Sequence, residues 1–196
     1  MSIRIAVLAI QGAFIEHEKM FRKLGVEVFE IRQLKDLEQR FDALILPGGE
    51  STVQSRMLKE LKLFAPLKQL ISNGLPVMAT CAGTILLAEK IDGSEEVHFG
   101  TLPVTVRRNA FGRQLASFYI DGIFNGIPEK VPMPFIRAPQ IIKYQDGVEI
   151  LSTYDAQATA VKYRNQLAMT YHPEITTNDE IHRFFLKNMV KQTSEI

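Results

Sequence analysis

The sequence predicts an α/β fold in which a mostly parallel sheet is followed by short antiparallel strands. Residues 3–10 form a nearly continuous apolar run, and a helical pattern follows from Phe14 to Gly25, which together indicate a β-α unit. Beyond about residue 100 the pattern changes to short alternating or β-branched runs separated by Gly, Pro, Asn and Asp, typical of strands and hairpins. The 196 residues contain no repeat or flexible linker, so we expect a single domain over residues 1–196.

The first half of the chain alternates between predicted strands and helices. Its strands are predicted at residues 3–10, 26–31, 41–46 and 76–80, and its helices at 14–25, 58–72 and from Ala82 to about Lys90. The polar segment 32–40 leaves room for a helical turn. In the helix at 58–72 an apolar stripe ends at Asn73 and Gly74, as expected at a C-cap.

The second half is predicted to be strand-rich and to end in a helix. Its strands are predicted at residues 101–107, 115–120, 135–136, 141–144, 148–152, 159–163 and 166–171. The closing helix is predicted at about 178–191, where apolar positions recur at helical spacing.

Composition excludes several classes of protein. A net charge of +1, from 23 basic and 22 acidic residues, argues against a general nucleic-acid or membrane-surface binder. The N-terminus has no signal-peptide pattern, so we expect a cytoplasmic protein. The single cysteine excludes an internal disulfide and a cysteine-based zinc site, and we expect no metal and no cofactor.

The only cysteine, Cys81, lies where a short apolar run passes into a small-residue helical pattern. This arrangement is typical of a nucleophile elbow, in which the nucleophile occupies the tip of a tight strand-turn-helix bend. Ala79, Ala82 and Gly83 are small neighbours that allow the strand and the helix to approach. A helix N-terminus also favours a thiolate over a thiol. Cys81 is therefore a candidate nucleophile; the alternative is a small core side chain.

A glycine-rich turn, residues 47–52 (PGGEST), follows the third predicted strand. Its glycines can adopt unusual dihedral angles, and Ser51 or Thr52 can cap the following helix. Backbone N–H groups in such a turn can bind a carboxylate or an oxyanion. Because open α/β sheets bind ligands at the carboxyl ends of their strands, the turn is a candidate binding site near Cys81. A purely structural turn is the alternative.

The triplet His172, Pro173 and Glu174 follows the last predicted strand and supplies a histidine with a carboxylate two residues away. Pro173 restricts the backbone on both sides, so the two side chains are held in a defined relation. A base and the acid that orients it need this relation, and Cys81 would be the nucleophile they serve. The alternative is a surface histidine.

The other three histidines serve as a contrast. His17 lies between two glutamates, His98 lies in an acidic loop, and His182 lies near the start of the last helix. We expect all three to be solvated.

At this point the motifs resemble a known family. The elbow cysteine, the HPE triplet and the PGGES turn are similar to those of class I glutamine amidotransferase domains. A narrower resemblance, to the glutaminase subunits of the deoxyxylulose-independent pyridoxal 5'-phosphate synthase, is carried by residues 8–14 (LAIQGAF), 48–52 (GGEST), 108–114 (RNAFGRQ) and 135–139 (FIRAP). It extends from Ile3 to about Val190.

The resemblance implies a flavodoxin-like three-layer α/β/α fold with a mostly parallel sheet and extra antiparallel hairpins. It also implies a glutaminase that hydrolyses L-glutamine through Cys81, His172 and Glu174. The ammonia would pass to a (β/α)8 synthase subunit that makes pyridoxal 5'-phosphate from ribose 5-phosphate and glyceraldehyde 3-phosphate, and that partner would switch the glutaminase on.

The family's glutamine-binding positions fall on Gly49, Glu50, Ser51, Arg108, Ile136 and Arg137. The candidates for the oxyanion site and for the switch are Gln11, Gly12 and Gly48. The two arginines suit the carboxylate of free glutamine, and Glu50 suits its ammonium group. Surface charges are the alternative for Arg108 and Arg137.

The elbow departs from the family pattern, which usually has Gly-Thr-Cys-Ala-Gly followed by Leu or Met. Here Ala79 replaces the first glycine and Thr84 follows the last. If position 79 needed a positive φ, Ala79 would cost about 1 kcal/mol and reduce activity.

The remaining alternatives are the glutaminase of another biosynthetic amidotransferase, another cysteine hydrolase, and a non-catalytic subunit with an altered elbow. An electron carrier of the flavodoxin type is disfavoured because the first loop lacks hydroxyl groups and the chain lacks tryptophan.

Overall fold

The structure is a computed structural model that describes residues 2–108 and 117–190. Its strands are β1 (Arg4–Leu8), β2 (Glu27–Ile31), β3 (Ala43–Leu46), β4 (Val77–Thr80), β5 (Ala88–Ile91), β6 (Leu102–Arg107), β7 (Ser117–Gly122), β8 (Val131–Ile136), β9 (Gln140–Tyr144), β10 (Glu149–Tyr154), β11 (Gln157–Tyr163) and β12 (Gln166–Met169). Its α-helices are α1 (Phe14–Lys23), α2 (Ser51–Glu60), α3 (Phe64–Ser72), α4 (Ala82–Leu87) and α5 (Glu180–Phe185). Short 3-10 helices span Leu34–Glu38 and Pro173–Ile175, and a π-helical turn, Leu186–Val190, continues α5. None of the helices in the described ranges is long and apolar enough to cross a bilayer.

One large mixed sheet organises the described chain, with strand order β2-β1-β3-β4-β12-β11-β9-β6-β5 and β10 paired to β11. The strands β2, β1, β3, β4 and β12 run parallel, so their carboxyl ends meet at one edge. From β12 onward the pairs with β11, β9 and β6 are antiparallel, and β7 and β8 form a separate hairpin. The predicted mixture of a mostly parallel sheet and antiparallel hairpins is confirmed.

Helices cover both faces of the sheet. In β1, Ala6 and Leu8 join a core with the apolar side chains of α2, α3 and α4, whereas Ile5 and Val7 join a second core with those of α1 and α5. All four of these β1 side chains are fully buried. This alternation explains why β1 is apolar on both faces, and it gives the three layers that the family resemblance implies.

Several predicted boundaries are wrong. The helix predicted at 58–72 is two helices, α2 and α3, because the backbone takes a positive φ of 59° at Lys62. The helix α2 begins at Ser51, and Glu50 occupies the cap position without a side-chain capping bond, so neither Ser51 nor Thr52 is the N-cap. The elbow helix ends at Leu87, since the next residues form β5 and pair in parallel with β6. Residues 115, 116 and 191 of the predicted elements lie outside the described residues.

Close packing of α4 on β3 requires a glycine at position 83. A Cβ atom built on Gly83 would overlap the carbonyl oxygen of Leu46 and lie 3.0 Å from the Cβ of Leu46. Backbone atoms cannot swing aside as a flexible side chain can, so relief would have to move the helix that follows Cys81.

We predict that Gly83→Ala lowers the free energy of unfolding by about 3 kcal/mol, because overpacking against backbone is costly. Helix propensity alone predicts the opposite sign, a gain of up to about 1 kcal/mol. Urea unfolding followed by circular dichroism measures the change, since the chain has no tryptophan.

The matched control for this variant is Gly93→Ala. Gly93 has a φ of 72° and nothing within 4 Å of a built Cβ, so only backbone strain of about 1 kcal/mol is expected. A Gly83→Ala protein that is as stable as the wild type would contradict the packing argument.

Candidate active site

Cys81 lies at the tip of a strained turn between β4 and α4. Its φ of 47° and ψ of −103° are unusual for a residue with a side chain. Its N–H group donates to the carbonyl oxygen of Met169 at 2.9 Å, and its own carbonyl accepts from the N–H of Thr84 at 3.1 Å. The thiol is largely buried, and Sγ lies 4.0 Å from the carbonyl oxygen of Ile136. The predicted strand-turn-helix elbow is confirmed.

The two departures from the family elbow fit the structure. Ala79 lies inside β4 and does not have a positive φ, so the strain considered for this position does not arise there. The hydroxyl of Thr84 donates to the carbonyl oxygen of Met169 at 2.6 Å. Met169 therefore accepts hydrogen bonds from both Cys81 and Thr84, and these two bonds fasten the elbow to β12.

His172 and Glu174 form a buried pair just after β12. His172 Nδ1 lies 2.7 Å from Glu174 Oε1, and the backbone N–H of His172 donates to the carbonyl oxygen of Pro134 at 2.9 Å. Burial alone would lower the pKa of His172, but hydrogen bonds with Cys81 and Glu174 outweigh it and raise the pKa to about 10. At neutral pH His172 is therefore in its protonated imidazolium form, next to the Cys81 sulfur.

Glu174 remains ionised although it is 97 % buried. Burial would raise its pKa, yet interactions with His17 and the hydrogen bond from His172 bring the pKa below its usual value. The carboxylate can thus orient His172 and stabilise its imidazolium form.

Gly48 brings the glycine-rich turn into contact with both reactive side chains. A Cβ atom built on Gly48 would overlap Cε1 of His172 and lie 3.3 Å from the Cβ of Cys81. The N–H of Gly48 donates to Thr80 Oγ1 at 3.0 Å, so this donor is engaged within the protein.

The first loop packs directly on the same turn. The carbonyl oxygen of Gly48 accepts from the N–H of Ala13 at 3.0 Å, and the N–H of Glu50 donates to Gln11 Oε1 at 2.8 Å. Gly12 has a φ of 102°, and a Cβ there would overlap the carbonyl oxygen of Gly48. The structure thus brings together the predicted residues Gln11, Gly12 and Gly48, although they come from two loops.

A cavity of about 410 Å³ opens above the cysteine at the carboxyl ends of the parallel strands. It is lined by Gln11, Gly49, Glu50, Ser51, Thr52, Cys81, Ile85, Arg108, Ile136, Arg137 and His172. All six predicted binding residues are in this lining, and so is Thr52 of the predicted turn, whereas Ile85 was not predicted. Glu174, Gly12 and Gly48 are not in this lining. A larger cavity of about 550 Å³ lies where β1 and β2 begin, far from Cys81 along the strands.

The cavity carries charges of both signs. Arg108 lies 3.4 Å from both Glu96 Oε2 and His98 Nε2, and Arg137 is exposed with a φ of 45°. Glu50 lines the same cavity. Residues 109–114 of the predicted RNAFGRQ motif lie outside the described residues.

The prediction that His17, His98 and His182 are solvated is wrong. They expose 0 %, 2 % and 0 % of their surface, and His17 lies 3.2 Å from Thr80 Oγ1 beneath the active site. The signal for His17 was helical periodicity, because it precedes the core residues Met20 and Phe21 by three and four positions. Thr80, which directly precedes the nucleophile, was also missed.

Comparisons with known proteins give a consistent result. Residues 7–191 match the SNO glutamine amidotransferase family. The chain is 51 % identical to the pyridoxal 5'-phosphate synthase subunit PdxT of Desulfitobacterium hafniense (strain Y51) over 95 % of this chain and 94 % of that protein. It is 46 % identical to PdxT of Haemophilus influenzae (strain PittEE), over 94 % and 97 % of the two chains. A crystal structure of a glutamine amidotransferase superposes with a TM-score of 0.88 at 37 % identity, covering 93 % of this chain and 97 % of that one.

We predict that His182 makes the fold sensitive to acid. Burial, together with the nearby His17, lowers the pKa of His182 to about 3, so the folded protein holds it neutral. The unfolded chain takes up a proton below about pH 6.5, so stability is full above that pH and falls as the pH drops from 6.5 towards 3. The loss is roughly 1 kcal/mol per pH unit for one such group.

The measurement is the free energy of unfolding between pH 4 and pH 8 for the wild type and for His182→Gln. The difference between the two curves isolates this histidine from other titrating groups. A difference that stays constant across this range would contradict the prediction.

Proposed function

The chain belongs to the SNO glutamine amidotransferase family, and from this premise we propose that it is the glutaminase subunit of pyridoxal 5'-phosphate synthase. The observation that carries the proposal is the geometry around Cys81. A strained elbow cysteine, a histidine with a raised pKa and a buried carboxylate meet beside a cavity lined by two arginines and a glutamate. This arrangement suits hydrolysis of the side-chain amide of a free amino acid.

In the proposed reaction the Cys81 thiolate attacks the side-chain carbonyl carbon of L-glutamine. His172 gives its proton to the departing nitrogen, so the C–N bond breaks, ammonia leaves and a glutamyl thioester remains. His172, now neutral, takes a proton from water, which attacks the thioester and releases glutamate and the thiolate. The short contact between His172 and Glu174 supports the role of Glu174 as the group that orients and stabilises the imidazolium.

The tetrahedral intermediate needs donors for its oxyanion. The N–H groups of Gly48 and Glu50 already donate to Thr80 and Gln11. We therefore assign the oxyanion to the N–H groups of Gly49, in the glycine-rich turn, and of Ala82, which directly follows the nucleophile. Gln11 and Gly12 hold the turn and are the parts that would move if the partner switches the site on.

The cavity also offers groups for the two charged ends of glutamine. Arg108 and Arg137 suit the α-carboxylate, and Glu50 suits the α-ammonium group. Gly49, Ser51 and Ile136 complete the proposed glutamine site. In this proposal the ammonia passes to the synthase subunit; the printed names of the PdxT relatives make them subunits of pyridoxal 5'-phosphate synthase, which supports the existence of such a partner. The proposal places the subunit in the cytoplasm, since a single free cysteine suits a reducing compartment.

We predict that glutamate release from glutamine rises when the matching synthase subunit is added and disappears in Cys81→Ala. Docking to the synthase should survive this substitution, because removing one sulfur atom leaves the backbone unchanged. Coupled glutamate detection and gel filtration of the mixture give the two readouts.

The outcomes separate the alternatives. Release that is unaffected by the synthase would keep the glutaminase and refute the partner. An absence of release from the wild type with its synthase would favour the non-catalytic subunit. Loss of docking in Cys81→Ala would contradict the separation of the two roles.

We also predict that Arg108→Met raises the KM for glutamine about 10- to 100-fold with a smaller change in kcat, because a charge-assisted hydrogen bond to the substrate carboxylate is lost. Steady-state kinetics in the complex measure both constants. The matched control is Arg107→Met, whose guanidinium pairs with Asp92 at 2.7 Å and does not line the cavity. Equal effects of the two variants would contradict this role for Arg108.

A further inference from the structure

A buried polar cluster lies beneath the triad, on the side of Glu174 away from the cavity. It consists of His17 from α1, Thr80 from β4 and His182 from α5, and none of the three is exposed to solvent. His17 Nε2 lies 3.2 Å from Thr80 Oγ1 and 3.6 Å from Glu174 Oε2. His17 Nδ1 lies 3.2 Å from His182 Nε2. The three side chains therefore connect α5 to the catalytic carboxylate.

The two carboxylate oxygens of Glu174 have different polar contacts. Oε1 lies 2.7 Å from His172 Nδ1 and 3.4 Å from Thr80 Oγ1. Oε2 is buried and accepts no regular hydrogen bond from the part of the chain that the structure describes. Oε2 faces His17 Nε2 at 3.6 Å. A buried carboxylate oxygen facing a ring nitrogen is stabilised only if that nitrogen carries a hydrogen.

The contact between the two histidines decides where that hydrogen lies. Between His17 Nδ1 and His182 Nε2 one nitrogen must donate and the other accept. If His17 donated, its Nε2 lone pair would face the carboxylate, and the proton of His182 would lie on Nδ1, which has no partner among the described residues. If His182 donates, His17 carries its hydrogen on Nε2, directed at Thr80 and Glu174. In this second arrangement Oε2 faces a donor and no ring N–H is left without a partner, although the Nδ1 lone pair of His182 stays unpaired among the described residues.

Both histidines act as neutral groups. Burial is the largest cause of the lowered pKa of His17, opposed by Glu174 and Glu16 and assisted by His172. Burial also lowers the pKa of His182, assisted by His17 and opposed by Glu174 and Asp179. The pair thus presents an N–H dipole to Glu174 without adding a charge.

We propose that His17, with its tautomer fixed by His182, is a positioning residue that holds Glu174 as an oriented carboxylate and thereby keeps the proton of His172 available to the reaction at Cys81. The inference rests on the proposed function and adds to its triad a residue that acts through Glu174. His17 is not in the lining of the cavity, so its loss should act on kcat and on the state of the Cys81–His172 pair, not on glutamine binding.

The variants are His17→Leu, which removes the donor, and His17→Gln, whose amide N–H₂ can reach the position of Nε2. His182→Leu removes the group that fixes the tautomer of His17 and leaves Glu174 unchanged, and Glu174→Gln removes the carboxylate charge.

The first readout is the rate of Cys81 alkylation by iodoacetamide, measured against pH in the full chain, which has one cysteine. The second is kcat and KM for glutamate release with the synthase subunit. Circular dichroism shows that each variant is folded.

The expected result for His17→Leu is a roughly tenfold lower alkylation rate at neutral pH, a half-maximal rate at a higher pH, and a kcat reduced about 10- to 100-fold with KM within about twofold. His17→Gln should restore both readouts to within about threefold of the wild type. His182→Leu should give a smaller loss in the same direction. Glu174→Gln should shift the alkylation profile in the same direction as His17→Leu.

If Glu174→Gln shifts the alkylation profile, the proposed role of Glu174 in the triad holds. Two outcomes for the His17 variants would then overturn the inference by itself. One is a His17→Leu protein with the profile and kcat of the wild type, and the other is equal loss in His17→Leu and His17→Gln. If neither Glu174→Gln nor His17→Leu shifts the profile, the proposed role of Glu174 fails together with this inference.

Discussion

The positive φ of Cys81 is the constraint on which the active site depends. A residue with a side chain in this region costs on the order of 1–3 kcal/mol and persists only where surrounding contacts enforce it. Here the carbonyl oxygen of Met169 accepts from both the N–H of Cys81 and the hydroxyl of Thr84. On the other side, Gly83 packs against the backbone of Leu46. Contacts with β3 and β12, the two strands that flank β4, thus hold the backbone of Cys81 in its strained conformation.

Close packing at the carboxyl ends of the parallel strands also explains how two loops and His172 come to form one site. The parallel strands β1, β3, β4 and β12 end at the same edge, so the loops that follow them are neighbours although they are far apart in sequence. A Cβ atom on Gly12 would overlap the carbonyl oxygen of Gly48, and a Cβ atom on Gly48 would overlap His172 and lie 3.3 Å from the Cβ of Cys81. Any side chain at these two glycines would separate the oxyanion turn from the nucleophile. Glycine therefore sets the distance between the binding loop and the reacting groups.

The sequence predicts the features of the fold and the site whose pattern lies within one short segment, and it misses those that depend on distant residues. The elbow, the HPE triplet and the PGGES turn are local, and the structure brings these three segments together. Lys62 interrupts a helix whose apolar stripe continues through the break, so periodicity does not reveal it. The strand at Ala88–Ile91 depends on pairing with β6, which no local pattern shows. The burial of His17 beside His182 joins residues 165 positions apart, and its partner could not be identified from the helix alone.

The choice of neutral groups beneath Glu174 follows from what the carboxylate must do. A lysine or arginine at the position of His17 would also keep Glu174 ionised, but its positive charge would cancel much of the field that Glu174 exerts on His172. The pKa of His172 would then lose support from the carboxylate, and the imidazolium would release its proton more readily. A neutral N–H donor stabilises the negative charge and leaves that field in place. Burial supplies the neutrality, because the same desolvation that would penalise Glu174 prevents His17 and His182 from taking up protons at neutral pH.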